Sequence, residues 1–203
     1  MKVLVLANWG LGLELLKVLH SLGEIEIKMV VTQYERESQD RWHNVVYDFA
    51  SRQEYKVIVE DSITFSEIEK YIVKEKLDLL ITHSFMKKIP ENVFNAPKLG
   101  GINIHPSLLP KYRGASPTLG ALRNKEKKTG LTSHVITKEI DAGDIYYQVE
   151  VSIDSEDNRD TIIEKLKKKI PLLITETLKQ ILAGKKPISQ SEEMVSYAPK
   201  TKF

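Results

Sequence analysis

The chain has 203 residues, 41% of them hydrophobic and 29% charged, a balance that suits one soluble globular core with a small appendage and excludes collagenous and strongly disordered classes. Thirty basic against 28 acidic residues leave a formal charge of +2, too even to point to nucleic acid or an anionic membrane as the main partner. With no cysteine, thiolate nucleophiles, disulfides and Cys-based zinc sites are excluded, and no metal is expected.

The opening residues, MKVLVLANWG, form a short apolar run without the longer stretch and small-residue cleavage site of a secretory signal. No segment approaches the roughly 18 continuous apolar residues of a membrane span, so a cytoplasmic chain is expected. Lys2 to Ala7 reads as a buried strand, ended by Asn8-Trp9-Gly10, after which Leu11, Leu15, Leu16 and Leu19 recur at helical spacing. Gly23 ends that helix, residues 25–32 read as a second buried strand, and residues 33–40 as a polar loop. The pattern repeats with a helix over 44–52, a strand over 56–59, a helix over 66–75 with Ser66 as its N-cap, and a strand over 77–82.

Strands alternating with helices imply an α/β, Rossmann-like fold: a mostly parallel sheet with helices on both faces. Ligands of such sheets sit beyond the strand carboxyl ends, which directs attention to the loops after Ala7, Thr82 and Ile104. A short strand over 101–104 is cut off by Pro106 and leads to a loop over 107–117 and a helix over 118–124. Strands over 131–137 and 144–151, joined through the turn Asp141-Ala142-Gly143, form a hairpin that adds an antiparallel edge.

A helical pattern over 161–182 contains Pro171, which should kink or restart it, and its lysines 165, 167, 168 and 169 read as a solvated face. Residues 1–184 make the catalytic domain in this reading. Residues 185–203 are a polar tail with Pro187 and Pro199, expected to lie over the surface or to be disordered.

Two constellations could carry chemistry. Gly10-Leu11-Gly12 opens a helix after a strand, yet Leu15 stands where a dinucleotide fingerprint wants its third glycine, and Thr32 and Gln33 stand where it wants an acid. Asn103 and His105 lie two apart on a strand and share a face, so at a carboxyl edge an amide and an imidazole could converge on a carbonyl, as acyl transfer requires. An isolated N-x-H would equally serve as a loop cap and a hydrogen-bonded histidine.

The longer string from Gly100 through Asn103, His105, Pro106, Ser107, Leu108, Leu109, Pro110, Lys111, Tyr112 and Arg113 to Gly114 resembles the signature of the folate-dependent formyltransferases. The resemblance extends over nearly the whole chain, through Ser84-Phe85-Met86-Lys87-Lys88-Ile89-Pro90, Glu139-Ile140-Asp141-Ala142-Gly143-Asp144 and Ser196-Tyr197-Ala198-Pro199. It implies N10-formyltetrahydrofolate as co-substrate and Asn103, His105 and Asp141 as the catalytic trio. Asn103 and a protonated His105 would stabilise the oxyanion, and Asp141 would raise the pKa of the histidine and help carry the proton. By the same resemblance Met86, Lys87, Ile89, Thr137, Lys138 and Asp141 hold the pterin, largely through backbone groups. His83 and His134 are read as structural.

The resemblance offers three amine acceptors: glycinamide ribonucleotide, methionyl-tRNA, and amino sugars linked to a nucleotide diphosphate. The Gly- and Asn-rich phosphate loop of the purine-pathway enzymes is replaced here by Asn8-Trp9-Gly10-Leu11-Gly12. Arg113-Gly114-Ala115-Ser116-Pro117 looks like the transfer-RNA and sugar branches. The near-neutral charge and an end close to Tyr197-Ala198-Pro199, where the transfer-RNA enzymes pass into a second domain, favour the sugar branch.

The expected substrate is therefore a dideoxy amino sugar on UDP or dTDP, touched by Asn8, Trp9, Gly10 and Arg113. A homodimer is expected from the sugar-branch relatives. Phosphoribosylglycinamide formylation, formyltetrahydrofolate hydrolysis and a methionyl-tRNA formyltransferase-like role are the alternatives. The sequence leaves open which sugar, which nucleotide and which amino position are used.

Overall fold

In the computed structural model, which describes residues 1–38, 40 and 43–200, β1 (Lys2–Ala7) has Val3 to Ala7 wholly buried. A strand without polar alternation needs cover on both faces, the condition of a parallel sheet interior. It pairs in parallel with β2 (Glu26–Thr32) on one side and β4 (Leu79–His83) on the other, and β2 pairs in parallel with β3 (Val57–Val59). Helix α1 (Trp9–Ser21) turns Leu11, Leu15, Leu16 and Leu19 into this core, each such side chain stabilising the fold by about 1.5–3 kcal/mol. Gly12 is the close-packing residue of that helix, since a Cβ there would stand 3.1 Å from the Cβ of Ala7. The glycine is thus accounted for by packing, without a dinucleotide.

Helix α2 is Val45–Arg52 and α3 is Phe65–Glu75. The α3 cap is Thr64 rather than Ser66: Thr64 Oγ1 accepts from the Glu67 N–H at 3.3 Å, while the Glu67 carboxylate takes the Thr64 N–H at 2.8 Å. This reciprocal capping box outcompetes a hydroxyl two residues later because it satisfies two exposed donors at once. A four-residue helix, α4 (Glu91–Phe94), follows Pro90 and is too short to leave a periodic signal.

The chain forms two compact units, Met1–Ile102 and Asn103–Phe203. The sheet has seven strands in the order β3-β2-β1-β4-β5-β6-β7, with β5 (Gly101–His105), β6 (Lys128–Val135) and β7 (Ile145–Ser152). It is mostly parallel with an antiparallel edge made by β6 and β7, and helices pack around it.

In the second unit α5 (Pro117–Arg123) precedes β6, and the apolar pattern broken by Pro171 becomes two helices, α6 (Arg159–Lys167) and α7 (Ile170–Leu182). Proline at the start of α7 loses no intrahelical bond there. Helix α7 packs on β6 and β7 through Leu173, Ile174, Leu178 and Ile181. Lys165 pairs with Asp154 at 2.7 Å and also with Asp157, and Lys167 pairs with Glu164 at 2.6 Å, which ties these lysines to neighbouring acids.

Of the loop expected over 33–40, Gln39 lies outside the described residues, as do 201–203 of the expected tail. Among the described residues no helix is long and apolar enough to cross a membrane.

Candidate active site

Strand β5 ends at His105 because Pro106 has no N–H to continue the ladder. The same-face residues Asn103 and His105 are brought together, within the second unit, with Asp141 from the β6–β7 connection. The two oxygens of the Asp141 carboxylate divide between them: Oδ1 accepts from Asn103 Nδ2 at 3.3 Å, and Oδ2 lies 3.5 Å from His105 Nδ1. Oδ2 also accepts the Gly114 N–H at 2.8 Å. Asp141 is left-handed, with φ of 55°, a conformation aspartate tolerates better than most residues. The turn depends on Gly143, where a Cβ would stand 1.9 Å from the Val135 carbonyl oxygen.

His105 is buried, and its Nε2 lies 2.9 Å from the Tyr112 carbonyl oxygen. A carbonyl only accepts, so Nε2 carries the hydrogen and any second proton must arrive at Nδ1, facing Asp141. Burial pushes the imidazole below its ordinary pKa and His134 adds to that; Asp141 and the Tyr112 carbonyl pull it up without overcoming the loss of hydration. The direction of that shift runs against the protonated His105 that the resemblance implies, and Nδ1, facing Asp141, is the atom at which a second proton would sit. For Asp141, burial favours the acid, but His105, His134 and the Gly114 N–H outweigh it and hold the carboxyl well below the usual carboxylate range.

His134, expected to be merely structural, is the fourth member of the group. Its Nδ1 donates to the Val135 carbonyl at 2.9 Å, which leaves the Nε2 lone pair to accept from Asn103 Nδ2 at 3.1 Å. The same Nε2 lies 3.6 Å from Asp141 Oδ1. The register of β6 against β7 shifts between Ser133 and His134, an irregularity of the kind that re-aims a side chain beside a functional site. A histidine inside the otherwise buried run Leu131-Thr132-Ser133 was the available signal.

The remaining expected contacts separate into distinct environments. Asn8 is wholly buried, with Nδ2 donating to Glu60 Oε2 at 3.3 Å and to the Ser84 carbonyl at 3.2 Å, while Oδ1 accepts from Thr32 Oγ1 at 3.0 Å and the Gln33 N–H at 2.8 Å. Its side chain has both hydrogens and both lone pairs in use, tying together the segments that follow β2, β3 and β4. Trp9 is half-buried with φ of 59°, and Gly10 is buried in the first turn of α1.

Arg113 is buried, with Nε and Nη2 donating to Gln190 Oε1 at 3.1 and 2.7 Å and Nη2 3.5 Å from Glu192 Oε1. Met86 is 47% exposed, a large uncovered side chain directly after β4, and Ile89 is half-buried. Lys87 donates to the Glu60 carbonyl at 2.8 Å and pairs with Asp61 at 2.6 Å, and it lines with Phe65 and Phe85 a cavity of about 250 Å³. Thr137 and Lys138 are exposed on the loop leading to Asp141. Among the described residues no group of acids and histidines is arranged to hold a metal.

Comparison with known proteins adds an independent line. A family model described as "Formyl transferase" matches residues 1–178. The methionyl-tRNA formyltransferase of Mesoplasma florum is 30% identical over 201 residues, covering 97% of this chain and 64% of that protein. The chain spans less than two thirds of the length of this relative, and 42% of the length of the methionyl-tRNA formyltransferase of Dictyoglomus thermophilum. Among solved structures, phosphoribosylglycinamide formyltransferase from Bacillus halodurans superposes with a TM-score of 0.76 at 24% identity, covering 90% of this chain and 96% of that one. The N-formyltransferase from Helicobacter canadensis, solved with folinic acid and dTDP-3-aminofucose, gives 0.76 at 20% identity, covering 98% of this chain and 71% of that one.

Proposed function

Because the chain belongs to the formyl transferase family, we propose that it transfers the formyl group of N10-formyltetrahydrofolate to a primary amine, with Asn103, His105 and Asp141 doing the chemistry. The observation that carries this reading is one carboxylate shared between an amide donor and an imidazole, Asp141 Oδ1 with Asn103 and Oδ2 with His105.

The amine lone pair attacks the formyl carbon and the carbonyl electrons move to oxygen. Asn103 Nδ2–H meets that oxyanion, exchanging its long 3.3 Å bond to Asp141 while its 3.1 Å bond to His134 keeps the amide oriented. The proton lost by the amine is taken at Nδ1 of the neutral His105. The imidazolium is stabilised by Asp141, and the proton then passes to the departing N10 as its bond to the formyl carbon breaks. The products are the formamide and tetrahydrofolate. For the co-substrate, the half-exposed Met86 and the cavity beside Phe85 and Lys87 suit a flat heterocycle read largely by main-chain groups.

The acceptor in this reading is an amino sugar linked to UDP or dTDP. Its support is the near-neutral charge and the half-buried Trp9 at the β1–α1 turn, whose indole suits a base or sugar face. Trp9 and Gly10 are the proposed contacts, and Asn8 acts by holding the β1–α1 turn that carries them. The second reading, methionyl-tRNA, is favoured by the names of the curated relatives.

An assay following tetrahydrofolate release decides among these with nucleotide-linked amino sugars, methionyl-tRNA and glycinamide ribonucleotide as acceptors, and with formate release measured when none is present. Formamide product on a sugar supports the proposal. Turnover confined to methionyl-tRNA or to glycinamide ribonucleotide removes the sugar acceptor, and acceptor-independent formate release removes the transferase reading.

A further inference from the structure

The polar stretch expected to lie over the surface or to be disordered is bonded into the loops that carry the site. Ser196 donates its N–H to the Pro110 carbonyl at 3.3 Å, and its carbonyl accepts the Arg113 N–H at 2.8 Å. Its hydroxyl oxygen accepts the Tyr112 N–H at 2.9 Å. Ala198 donates to the Arg113 carbonyl at 2.7 Å and accepts the Ser116 N–H at 3.0 Å. Gly114, with φ of 111°, leaves room for this contact, because a Cβ there would come within 2.9 Å of the Ala198 oxygen.

Gln190 is the junction of this stretch with the chemistry. Its Nε2 donates to the carbonyls of Asp141 at 2.9 Å and Gly143 at 2.7 Å, while its Oε1 accepts from Nε and Nη2 of Arg113 at 3.1 and 2.7 Å. One amide thus uses both hydrogens and both lone pairs to join two segments. The first is the turn that bears Asp141. The second is the loop that gives His105 the Tyr112 carbonyl and gives Asp141 the Gly114 N–H.

We propose that Gln190 is a positioning residue for the reaction: by fixing the Asp141–Ala142 and Gly143–Asp144 peptide groups and anchoring Arg113, it sets the distance between the Asp141 carboxylate and His105 Nδ1. This rests on the formyl-transfer reading. The groups facing His105 are Asp141 and His134, with the Tyr112 carbonyl on Nε2. A turn that drifts outward leaves His134 where it is and takes the carboxylate away.

The test uses the full chain carrying Gln190→Ala and, separately, Gln190→Glu, which keeps an acceptor for Arg113 and removes both donors to the turn. For both, kcat should fall about tenfold to a hundredfold with KM changed less than about threefold, the pattern of a misplaced reacting group rather than lost binding. The His105 imidazole, followed by NMR titration, should move to lower pH as the carboxylate withdraws. A merely structural glutamine would lower the melting temperature and leave that titration in place.

The proposal is overturned if both variants keep kcat within twofold and titrate like the wild type, or if both fail to fold. If the wild type transfers formyl to no acceptor, the functional reading falls, while the titration still judges whether Gln190 governs the Asp141–His105 distance.

Discussion

Asn103 donates its amide hydrogen to Nε2 of His134 at 3.1 Å, and the direction of that bond is set on the far side of the ring, where His134 Nδ1–H is held by the Val135 carbonyl at 2.9 Å. A histidine ring held in this way therefore presents the amide nitrogen, and not the amide oxygen, to the space beside His105. Replacing His134 with alanine removes the acceptor that orients the Asn103 amide and leaves the part-buried Val135 carbonyl without its ring donor. Turnover should drop about tenfold to a hundredfold, and urea denaturation should show a loss of about 1–3 kcal/mol. Undiminished kcat in a folded His134→Ala protein would remove the orienting role.

Asp141→Asn keeps the shape of the turn and removes the charge that both neighbours use. The expected loss in kcat is about 10²- to 10⁴-fold, the usual scale for a proton-handling group. The same change should shift the His105 titration further down, since the carboxylate opposes burial there. An upward shift, or none, would mean that Asp141 and His105 are not coupled.

Stability should depend on acid in two steps. A histidine whose folded pKa is lowered contributes stability that is complete above its ordinary value, about 6.5, and is lost as pH falls through the folded value. A carboxylate held below its ordinary range contributes stability present above about 3.9 and lost as pH falls further. Unfolding free energy measured from pH 8 to pH 3 should thus decline first below about 6.5 and again below about 4. The first decline should flatten in His105→Gln and the second in Asp141→Asn; a profile identical in all three proteins refutes the assignment.

Asn8→Ala tests whether that residue acts through structure or through ligand contact. It removes four hydrogen bonds that join the segments following β2, β3 and β4. The measurable effect should be a lower denaturation midpoint, by about 1–3 kcal/mol for each donor or acceptor left unmatched, with any loss of acceptor affinity following that of folding. A tenfold rise in acceptor KM at unchanged stability would instead place Asn8 against the ligand.

The alternating strands and helices were legible in the sequence because uninterrupted β-branched runs and leucines at helical spacing belong to different periods, and Pro171 announced the break between α6 and α7. Asn103 and His105 stood out through the string from Gly100 to Gly114 and Asp141 through its own turn motif, and the three side chains meet in the structure. What escaped was decided by partners far along the chain. Whether Asn8 is a ligand contact or a clasp depends on Glu60 and Ser84, dozens of residues away. His134 looks like any strand histidine until the register shift between Ser133 and His134 is known. Whether the tail would lie over the surface or be disordered stayed open because its bonds, the main-chain ones of Ser196 and Ala198 and the side-chain ones of Gln190 and Ser196, go to loop residues far earlier in the chain.

Tyr112 stands in the left-handed region, with φ of 62°, its hydroxyl donating to Glu126 at 2.8 Å and its carbonyl facing the His105 ring. The permanent hydrogen of that ring is therefore chosen by a peptide oxygen, an acceptor no point substitution can delete. Heritable adjustment of the basicity of this base falls on the opposite nitrogen and on whatever stands next to it.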